Sequence, residues 1–522
     1  MSEFTRRDLF KTATATAAGG LATEVGAATS PSIGARKHDT LFTNNHIEVY
    51  TDRWSAAAGD AVSIHVSTIS KRFHLQIERI GVKPTVVWRR EDFPGTFYPT
   101  PDDAWEKGCR WPAAIKIKVP DDWMSGYYQI TAMTEGASYP AFVVIRTQKP
   151  TAKMLMVLAT NTYNAYNSYG GASAYIKKST GASSGITGTT GEPRTSFQRP
   201  LMPEFLRRSN IPYFTPAGFS AWEWTMTLWL EQNGYAVDFA INSDLEFHPE
   251  LLSGYRLMLS VGHDEYWSWG MRDTVESFVS GGGNVCFFSG NLMWQVRFED
   301  QGNVMVCYKD DRRNDPMFKQ GKKQFATGCW TSHDIGRPVT QLTGLSPVYA
   351  LFHRFRDGVP RGPGGYLIYR PEHWIFEGTG LSYGDCFGAP NKIVHYEVDG
   401  CPIRIENGLP YPASFYDGPK SLQILGMIPA TLGNASADGS GAAGIAKDLF
   451  GAANPEALAY VSANRGHAVM GIYQNSGTVF CGGTTDWTNG LAGIDTTWGD
   501  GPANADPVVE RATRNLLDRL SK

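Results

Sequence analysis

Polar side chains able to perform acid–base or metal chemistry follow three apolar runs of the sequence. The three segments are 160–171, with three tyrosines and three asparagines, 262–268, which is Gly-His-Asp-Glu-Tyr-Trp-Ser, and 289–294, which is Ser-Gly-Asn-Leu-Met-Trp. A histidine, two carboxylates, phenols and a carboxamide in one place would supply both general acid–base groups and metal ligands. The segments therefore predict a reactive site if the fold brings them together.

The apolar runs before these segments predict the strands that position them. Continuous apolar runs are typical of strands covered on both faces, and they occur at 154–159, 235–240, 257–261 and 284–288. Helices are predicted at 220–232 and from Ser268, the second with Met271, Val275, Phe278 and Val279 on one face. Alternating strands and helices predict a parallel sheet, in which ligands bind beyond the carboxyl ends of the strands. We expect the three polar segments to meet at that edge.

Each segment also has a purely structural interpretation. Asp264 or Ser268 could cap the following helix, and the tyrosines could pack beneath a loop. Three polar segments after three strands of one sheet favour the functional interpretation over the structural one.

The N-terminal part of the chain follows a different pattern. Alternating apolar and polar residues over 44–148, separated by Gly, Pro and Asp clusters, predict an immunoglobulin-like (Ig-like) β-sandwich. The predicted fold class is thus this all-β domain followed by an α/β domain over 150–522. In the latter, 300–490 is less periodic, and a last helix is predicted to start at Pro507 with Asp506 as its cap.

Composition and charge exclude several classes of protein. The chain has 522 residues, 42% apolar and 19% charged, with a net charge of −3. Such a composition excludes extensive disorder and coiled coil, and the near-neutral charge predicts no nucleic-acid partner. No apolar run reaches about 18 residues, so no membrane span is predicted.

The N-terminus predicts export. Arg6-Arg7 precedes an Ala/Thr/Gly stretch, which is typical of a twin-arginine signal over residues 1–28 and of a periplasmic or extracellular location. The alternative is a disordered basic tail. Among the seven cysteines, Cys286 and Cys481 lie in apolar runs typical of a core. Four others could pair in an oxidising compartment, namely Cys307, Cys329, Cys386 and Cys401.

Several motifs carry a family resemblance. They are Ala165-Tyr-Asn, Tyr169-Gly-Gly, Ser196-Phe-Gln-Arg-Pro, Gly262-His-Asp-Glu-Tyr-Trp-Ser, the step from Gly281-Gly-Gly to Gly290-Asn, His395-Tyr-Glu-Val-Asp and Gly482-Gly-Thr-Thr-Asp-Trp. Together they resemble the C-terminal region of the N,N-dimethylformamidase large, catalytic subunit over about 150–490. The resemblance implies an Ig-like domain followed by a glutamine-amidotransferase-like α/β domain.

The resemblance also implies a chemistry, in which a mononuclear iron held by two tyrosines and one glutamate hydrolyses an amide. Carried over by motif, Glu265 is the carboxylate ligand and Tyr166 one tyrosine ligand. His263 is a neighbouring proton-handling residue, Asn291 a substrate or oxyanion donor, and Glu397 a further acid of the pocket.

One position departs from the family pattern. Leu201 stands where the resemblance places the second tyrosine ligand, and leucine offers neither a donor atom nor a charge to ferric iron. Tyr163, Tyr169 or Tyr175 fills the gap, or the metal differs, or no metal is bound. The departure argues against dimethylformamide itself as the substrate.

These inferences predict an exported hydrolase that cleaves an amide-type C–N bond with metal-activated water. Two alternatives stay open. One is a metal-free hydrolase or lyase of an extracellular glycan, for which 15 Trp and 23 Tyr offer stacking surfaces, and the other is a non-catalytic binding protein. A small amide or a glycan is the expected partner. The sequence leaves open whether the chain forms a homo-oligomer or binds a small partner subunit.

Overall fold

The structure is a computed structural model that describes residues 46–180, 190–206, 217–354, 359–432, 440–492 and 504–522. All of these residues belong to one compact unit, Ala35–Lys522. The predicted export signal, 1–28, lies outside the described residues.

The N-terminal part is built from two antiparallel β-sheets with a shared core. Its elements are β1 (Ile47–Thr51), β2 (Ser55–Ala56), β3 (Ala61–Thr68), β4 (Arg72–Arg79), β5 (Thr85–Pro94), α1 (Ala104–Lys107), β6 (Ala113–Lys118), β7 (Gly126–Met133) and β8 (Ser138–Ile145). One sheet has the order β1-β3-β6, and the other has the order β2-β8-β7-β4-β5, in which only the short β2 pairs in parallel. Alternate residues of β3, such as Val62 and Ile64, pack with those of β4 and β7, which explains the period-two pattern. The Ig-like topology stays a prediction.

The middle of the chain alternates strands and helices. Its elements are β9 (Met154–Leu158), α2 (Thr160–Tyr166), β10 (Arg194–Ser196), α3 (Pro203–Leu206), α4 (Glu223–Gln232), β11 (Val237–Ile241), α5 (Asn242–Phe247), β12 (Leu257–His263), β13 (Tyr266–Ser268), α6 (Trp269–Ser280), β14 (Asn284–Gly290), β15 (Trp294–Glu299), β16 (Val304–Val306) and α7 (Pro316–Lys319).

The last part adds antiparallel strands and the C-terminal helices. Its elements are α8 (Thr340–Thr343), β17 (Ser346–Leu351), β18 (Tyr366–Ile368), β19 (Cys386–Phe387), β20 (Val398–Gly400), β21 (Ile403–Glu406), β22 (Leu409–Pro412), β23 (Gln423–Ala430), α9 (Ser440–Phe450), α10 (Pro455–Ser462), β24 (Gly466–Gln474), β25 (Thr478–Cys481), α11 (Asn489–Ala492) and α12 (Pro507–Leu520). Single 3₁₀ segments occur at Asp300–Gly302, Lys309–Asn314, Lys323–Phe325 and Trp374–Phe376.

A nine-stranded sheet with the order β11-β9-β12-β14-β25-β24-β23-β18-β19 organises this larger part. The pairings from β11 to β25 are parallel, and those from β25 to β19 are antiparallel. The prediction of a mostly parallel sheet is therefore right for one half and wrong for the other. The less periodic 300–490 region supplies the antiparallel strands β24, β23, β18 and β19, which hairpin-like connections can form without crossover helices. The glutamine-amidotransferase likeness stays a prediction.

The helices predicted at 220–232, from Ser268 and from Pro507 are confirmed as α4, α6 and α12. Ser268 caps α6 by accepting from the Met271 amide, and Asp506 caps α12 by accepting from the Val508 and Val509 amides. Pro507 is the first residue of α12, as predicted.

The core lies on both faces of the sheet. Along β9, Met154 and Met156 belong to one apolar cluster, while Leu155 and Val157 belong to another on the opposite face. The first cluster also contains Tyr127 and Phe142 of the N-terminal sheets, so the two parts of the chain share a core.

The seven cysteines, all within the described ranges, are free thiols, and Cys286 and Cys481 are buried in the core as predicted. Among the described helices, none combines the length and apolarity that crossing a membrane requires.

Candidate active site at the carboxyl edge of the parallel strands

Two of the predicted residues lie at the ends of neighbouring strands. His263 is the last residue of β12, and its register partner across the parallel pairing is Gly290, the last residue of β14. Asn291 follows directly, with a left-handed φ of 62°, a conformation that asparagine tolerates better than most residues. The strand pairing itself thus brings His263 and Asn291 to the same edge.

His263 lies between two carboxylates. Its Nε2 is 2.8 Å from Oε2 of Glu397 and 3.2 Å from Oε2 of Glu265. Asn291 Nδ2 donates to Oε2 of Glu397 at 2.8 Å and is 3.4 Å from His263 Nε2. All four side chains are buried, so these contacts replace the water that the charges lose.

Glu397 reaches the site from a distant part of the chain. It precedes β20, and its carbonyl accepts from the Thr485 amide at 3.0 Å. A Cβ on Gly290 would lie 2.9 Å from Thr484 and Thr485 backbone atoms, so glycine permits this close approach. The Asn291 amide donates to Asp399 Oδ1 at 2.9 Å, which ties β14 to β20.

Glu265 is surrounded by donors. Trp294 Nε1 donates to its Oε1 at 2.6 Å, and the Tyr175 hydroxyl lies 2.7 Å from Oε2 and 3.0 Å from Oε1. The Glu265 amide donates to Thr162 Oγ1 at 3.0 Å, and the Glu265 carbonyl accepts from the Trp294 amide. The carboxylate is therefore fixed in orientation from several sides.

Three phenols gather beside Glu265. The Tyr166 ring is centred 4.0 Å from the Tyr175 ring and 5.6 Å from the His263 ring. The Tyr266 hydroxyl donates to the Tyr175 hydroxyl at 2.7 Å. The structure therefore brings Tyr166, Glu265, His263, Asn291 and Glu397 together.

Of the three tyrosines proposed to replace the ligand missing at Leu201, two lie away from Glu265. The Tyr169 hydroxyl contacts Glu48 and Thr100, and the Tyr163 ring packs near Phe142. Leu201 is buried in the core, and its carbonyl accepts from the Tyr139 hydroxyl. Among the three alternatives, Tyr175 is the one in contact with Glu265.

The charges of the site are strongly coupled. Burial alone would lower the pKa of His263, but the carboxylates of Glu397 and Glu265 outweigh it and hold that pKa well above 6.5. Burial would raise the pKa of Glu265, and His263 reverses this, so the pKa of Glu265 is lowered. His263 is thus an imidazolium at neutral pH, paired with ionised carboxylate.

The phenols show the opposite trend. Burial, reinforced by the negative charge of Glu265, raises the pKa of Tyr166 and of Tyr175 well above 10. Both are neutral hydroxyls unless a cation compensates their ionisation.

Asp264 faces away from this cluster. Its Oδ2 accepts from Ser260 Oγ at 2.7 Å and its Oδ1 from Asn242 Nδ2 at 3.1 Å, and burial raises its pKa to about 6. Of the two residues that the sequence offered as helix caps, Ser268 caps α6, whereas Asp264 has a different structural role, as acceptor for Ser260 and Asn242.

Three further residues of the site were not predicted as site residues, although Tyr396 lies in the His395-Tyr-Glu-Val-Asp motif. Trp222 and Tyr396 line the His263 ring at centroid distances of 6.0 and 5.6 Å. Lys309 is buried, with its Nζ 3.1 Å from the centre of the Tyr175 ring. Its neighbours in sequence, Asp-Asp-Arg-Arg, are typical of an exposed segment, so only the folded chain identifies it.

Comparison with known proteins identifies a family for the chain. The N,N-dimethylformamidase beta subunits of Paracoccus aminophilus and of an Alcaligenes species are 27% and 26% identical to the chain over 225 residues. Each match covers 36% of this chain and 28% of the relative, so the chain spans less than a third of these relatives. The family described as N,N-dimethylformamidase beta subunit-like, C-terminal, matches residues 74–502, which extends the resemblance into the N-terminal sheets. The chain belongs to this N,N-dimethylformamidase beta subunit-like family.

Proposed function

We propose that the chain is a hydrolase that cleaves an amide-type C–N bond at the cluster of His263, Glu265, Asn291 and Glu397. The observation that best supports this proposal is that one imidazole nitrogen, His263 Nε2, lies 2.8 Å and 3.2 Å from two buried carboxylates. Such a group can both release and take up protons in a site from which water is largely excluded. The family membership points to the same class of reaction.

Each residue has a role in this proposal. Glu397 accepts a proton from the attacking water, whose oxygen bonds to the carbonyl carbon. The second Nδ2 proton of Asn291 stabilises the resulting oxyanion, since the first is donated to Glu397. The His263 imidazolium then delivers its proton to the amine nitrogen as the C–N bond breaks, and an acid and an amine leave.

The donor atoms beside Glu265 fit the iron that the family implies. A carboxylate and two phenols, those of Glu265, Tyr166 and Tyr175, are hard oxygen ligands of the kind that ferric iron prefers. They would hold the ion, and both phenols must lose their protons when it binds, because burial otherwise keeps them neutral. Bound iron would polarise the scissile carbonyl and lower the pKa of water. Tyr175 takes the place of the tyrosine expected at Leu201.

The proposal is tested by assaying purified protein, in its native oligomeric state, for turnover of small amides and of glycans. The metal content of the same protein is measured in parallel. We expect amide turnover, and we expect Glu397→Gln and His263→Ala to reduce kcat by about 100-fold or more, because each removes an acid–base group. Asp264→Asn is the matched control, since Asp264 lies in the same segment but faces Ser260 and Asn242. It should lower stability and leave kcat near that of the parent protein.

The identity of the bound metal is determined on the same purified protein by elemental analysis and visible absorption. We expect iron with a visible tyrosinate band, which Tyr175→Phe weakens or shifts by removing one of two phenolate ligands, and which Tyr169→Phe leaves unchanged, because Tyr169 contacts Glu48 instead. Turnover of glycans without metal would replace the proposal with a metal-free hydrolase or lyase. Binding without turnover of either class would replace it with a binding protein.

Localisation is proposed from the sequence alone. We propose export through the twin-arginine route to the periplasm or beyond, supported by Arg6-Arg7 and the stretch that follows.

A further inference from the structure

Lys309 is a buried lysine in contact with aromatic rings. It is 1% exposed and begins a 3₁₀ segment with a left-handed φ of 51°. Its Nζ lies 3.1 Å from the centre of the Tyr175 ring, 5.3 Å from that of Tyr266 and 5.5 Å from that of Trp294. A cation within about 6 Å of an aromatic ring is attracted to its face, and more strongly when both are shielded from water.

These three rings have a second property in common. Trp294 Nε1 and the Tyr175 hydroxyl donate directly to the Glu265 carboxylate, and the Tyr266 hydroxyl donates to that of Tyr175. All three of these rings therefore carry a donor in the hydrogen-bond chain that ends at Glu265. A positive charge on the ring faces draws electron density from the donor groups, which strengthens their hydrogen bonds to a carboxylate.

We infer that Lys309 is a positioning residue for Glu265, which it orients through the rings of Tyr175, Tyr266 and Trp294. In this role Lys309 acts through the rings and not on the reacting atoms. Its importance for turnover depends on the proposed function, whereas its effect on the hydrogen bonds of Glu265 does not.

The indole N–H resonance of Trp294 in the metal-free protein, where the Tyr175 hydroxyl keeps its proton, measures this effect directly. A hydrogen bond of 2.6 Å to a carboxylate moves the indole proton to low field, and Trp294→Phe identifies the resonance by its loss. In Lys309→Met we expect this resonance to move to higher field, because the charge is lost while the length of the side chain is kept. In Lys309→Arg, which keeps the charge, we expect it to stay near its original position.

The matched control is another buried cation on a ring. Arg272 lies 4.5 Å above the Trp330 ring, and its guanidinium pairs with Glu276 of α6 instead of acting on a donor to Glu265. Arg272→Met should lower stability and leave the Trp294 resonance unchanged. The combination of Lys309→Met with Tyr175→Phe should shift the resonance by less than the sum of the two single variants, since both act on one network.

Kinetics add a second measurement once a substrate is known. We expect Lys309→Met to lower kcat about tenfold with little change in KM, and Lys309→Arg to restore most of it. An unchanged Trp294 resonance in folded Lys309→Met, or equal behaviour of the Met and Arg variants, would overturn the inference. A protein without amide turnover whose Trp294 resonance still responds would overturn the proposed function alone.

Discussion

At the scale of single residues, burial decides which groups can react. His263 keeps a proton only because Glu397 and Glu265 lie within 2.8 and 3.2 Å, which outweighs the cost of burying the charge. Asp264, one residue away, accepts hydrogen bonds from the neutral donors Ser260 and Asn242, and burial raises its pKa to about 6. Neighbours in sequence thus have opposite roles because they face different surroundings.

A buried carboxyl outside the site gives a prediction for stability. Burial raises the pKa of Glu223 from 4.5 to about 8, although its Oε1 accepts from the Ala159 amide at 3.0 Å. Between these pH values the folded protein holds a proton that the unfolded chain has released, so the free energy of unfolding falls as the pH rises. Glu223→Gln removes this loss, which amounts to at most about 5 kcal/mol, and should raise the Tm at pH 9 by several degrees.

Thermal denaturation of both proteins at pH 5 and pH 9 checks this. The two Tm values should agree closely at pH 5, where parent Glu223 is protonated when folded. A variant that is less stable than the parent at pH 9 would show that Glu223 is ionised in the folded protein.

At the scale of elements, the segment after β25 holds the distant half of the site. Asp486 accepts from Trp222 Nε1 at 3.1 Å and from the Tyr396 amide at 2.7 Å, and both of these aromatic residues line His263. The segment also anchors Glu397 through the Thr485 amide. The short segment after β25 therefore positions Trp222, Tyr396 and Glu397, which come from two other regions of the chain.

Asp486→Asn tests this element. Asparagine keeps one acceptor oxygen but places an amide group against a donor, so a buried N–H of Trp222 or Tyr396 loses its partner. We expect a loss of about 1–3 kcal/mol in the free energy of unfolding, measured by chemical denaturation. Thr513→Val, which removes the acceptor of Trp487 Nε1 on α12, is the control, because it frees a buried indole of the same segment whose partner lies on α12.

Both variants should lower stability, but only Asp486→Asn should also alter the environment of the Trp222 indole and reduce turnover. Equal effects of the two variants on turnover would contradict a specific role for Asp486.

At the scale of the whole molecule, the N-terminal sheets and the nine-stranded sheet are one structure. The Tyr127 ring stacks on the Phe219 ring at 3.8 Å, and Ser125 Oγ accepts from the Phe239 amide of β11 at 2.7 Å. Arg79 pairs with Glu231 of α4 at 2.8 Å. The family match also begins at residue 74, within the N-terminal sheets.

A chain that starts at residue 149 should therefore not fold stably. The truncation removes Tyr127 and Phe142 and thereby exposes apolar residues of the shared core, such as Phe219. We expect aggregation or the loss of cooperative unfolding in calorimetry, whereas a chain that starts at His46 keeps every described contact and should unfold cooperatively. A cooperative transition for the shorter chain would show that the α/β part is independent.

The sequence by itself determined the local structure and half of the site. Apolar runs located β9, β12 and β14, and the polar segments that follow them placed His263, Glu265 and Asn291 at one edge, because parallel strands end together. Glu397 and Tyr166 came from the family resemblance, since nothing local links Glu397 to Asn291 across 106 residues.

Only the tertiary structure decided the rest. It selected Tyr175 among three tyrosines, assigned Asp264 to a structural network, made half of the sheet antiparallel and brought Lys309 from a charged segment into the aromatic core. The physical reason is that a pattern of residue types indicates only which side chains along one helix or strand are buried. Contacts between elements depend instead on how close-packed side chains from distant segments fill the same volume.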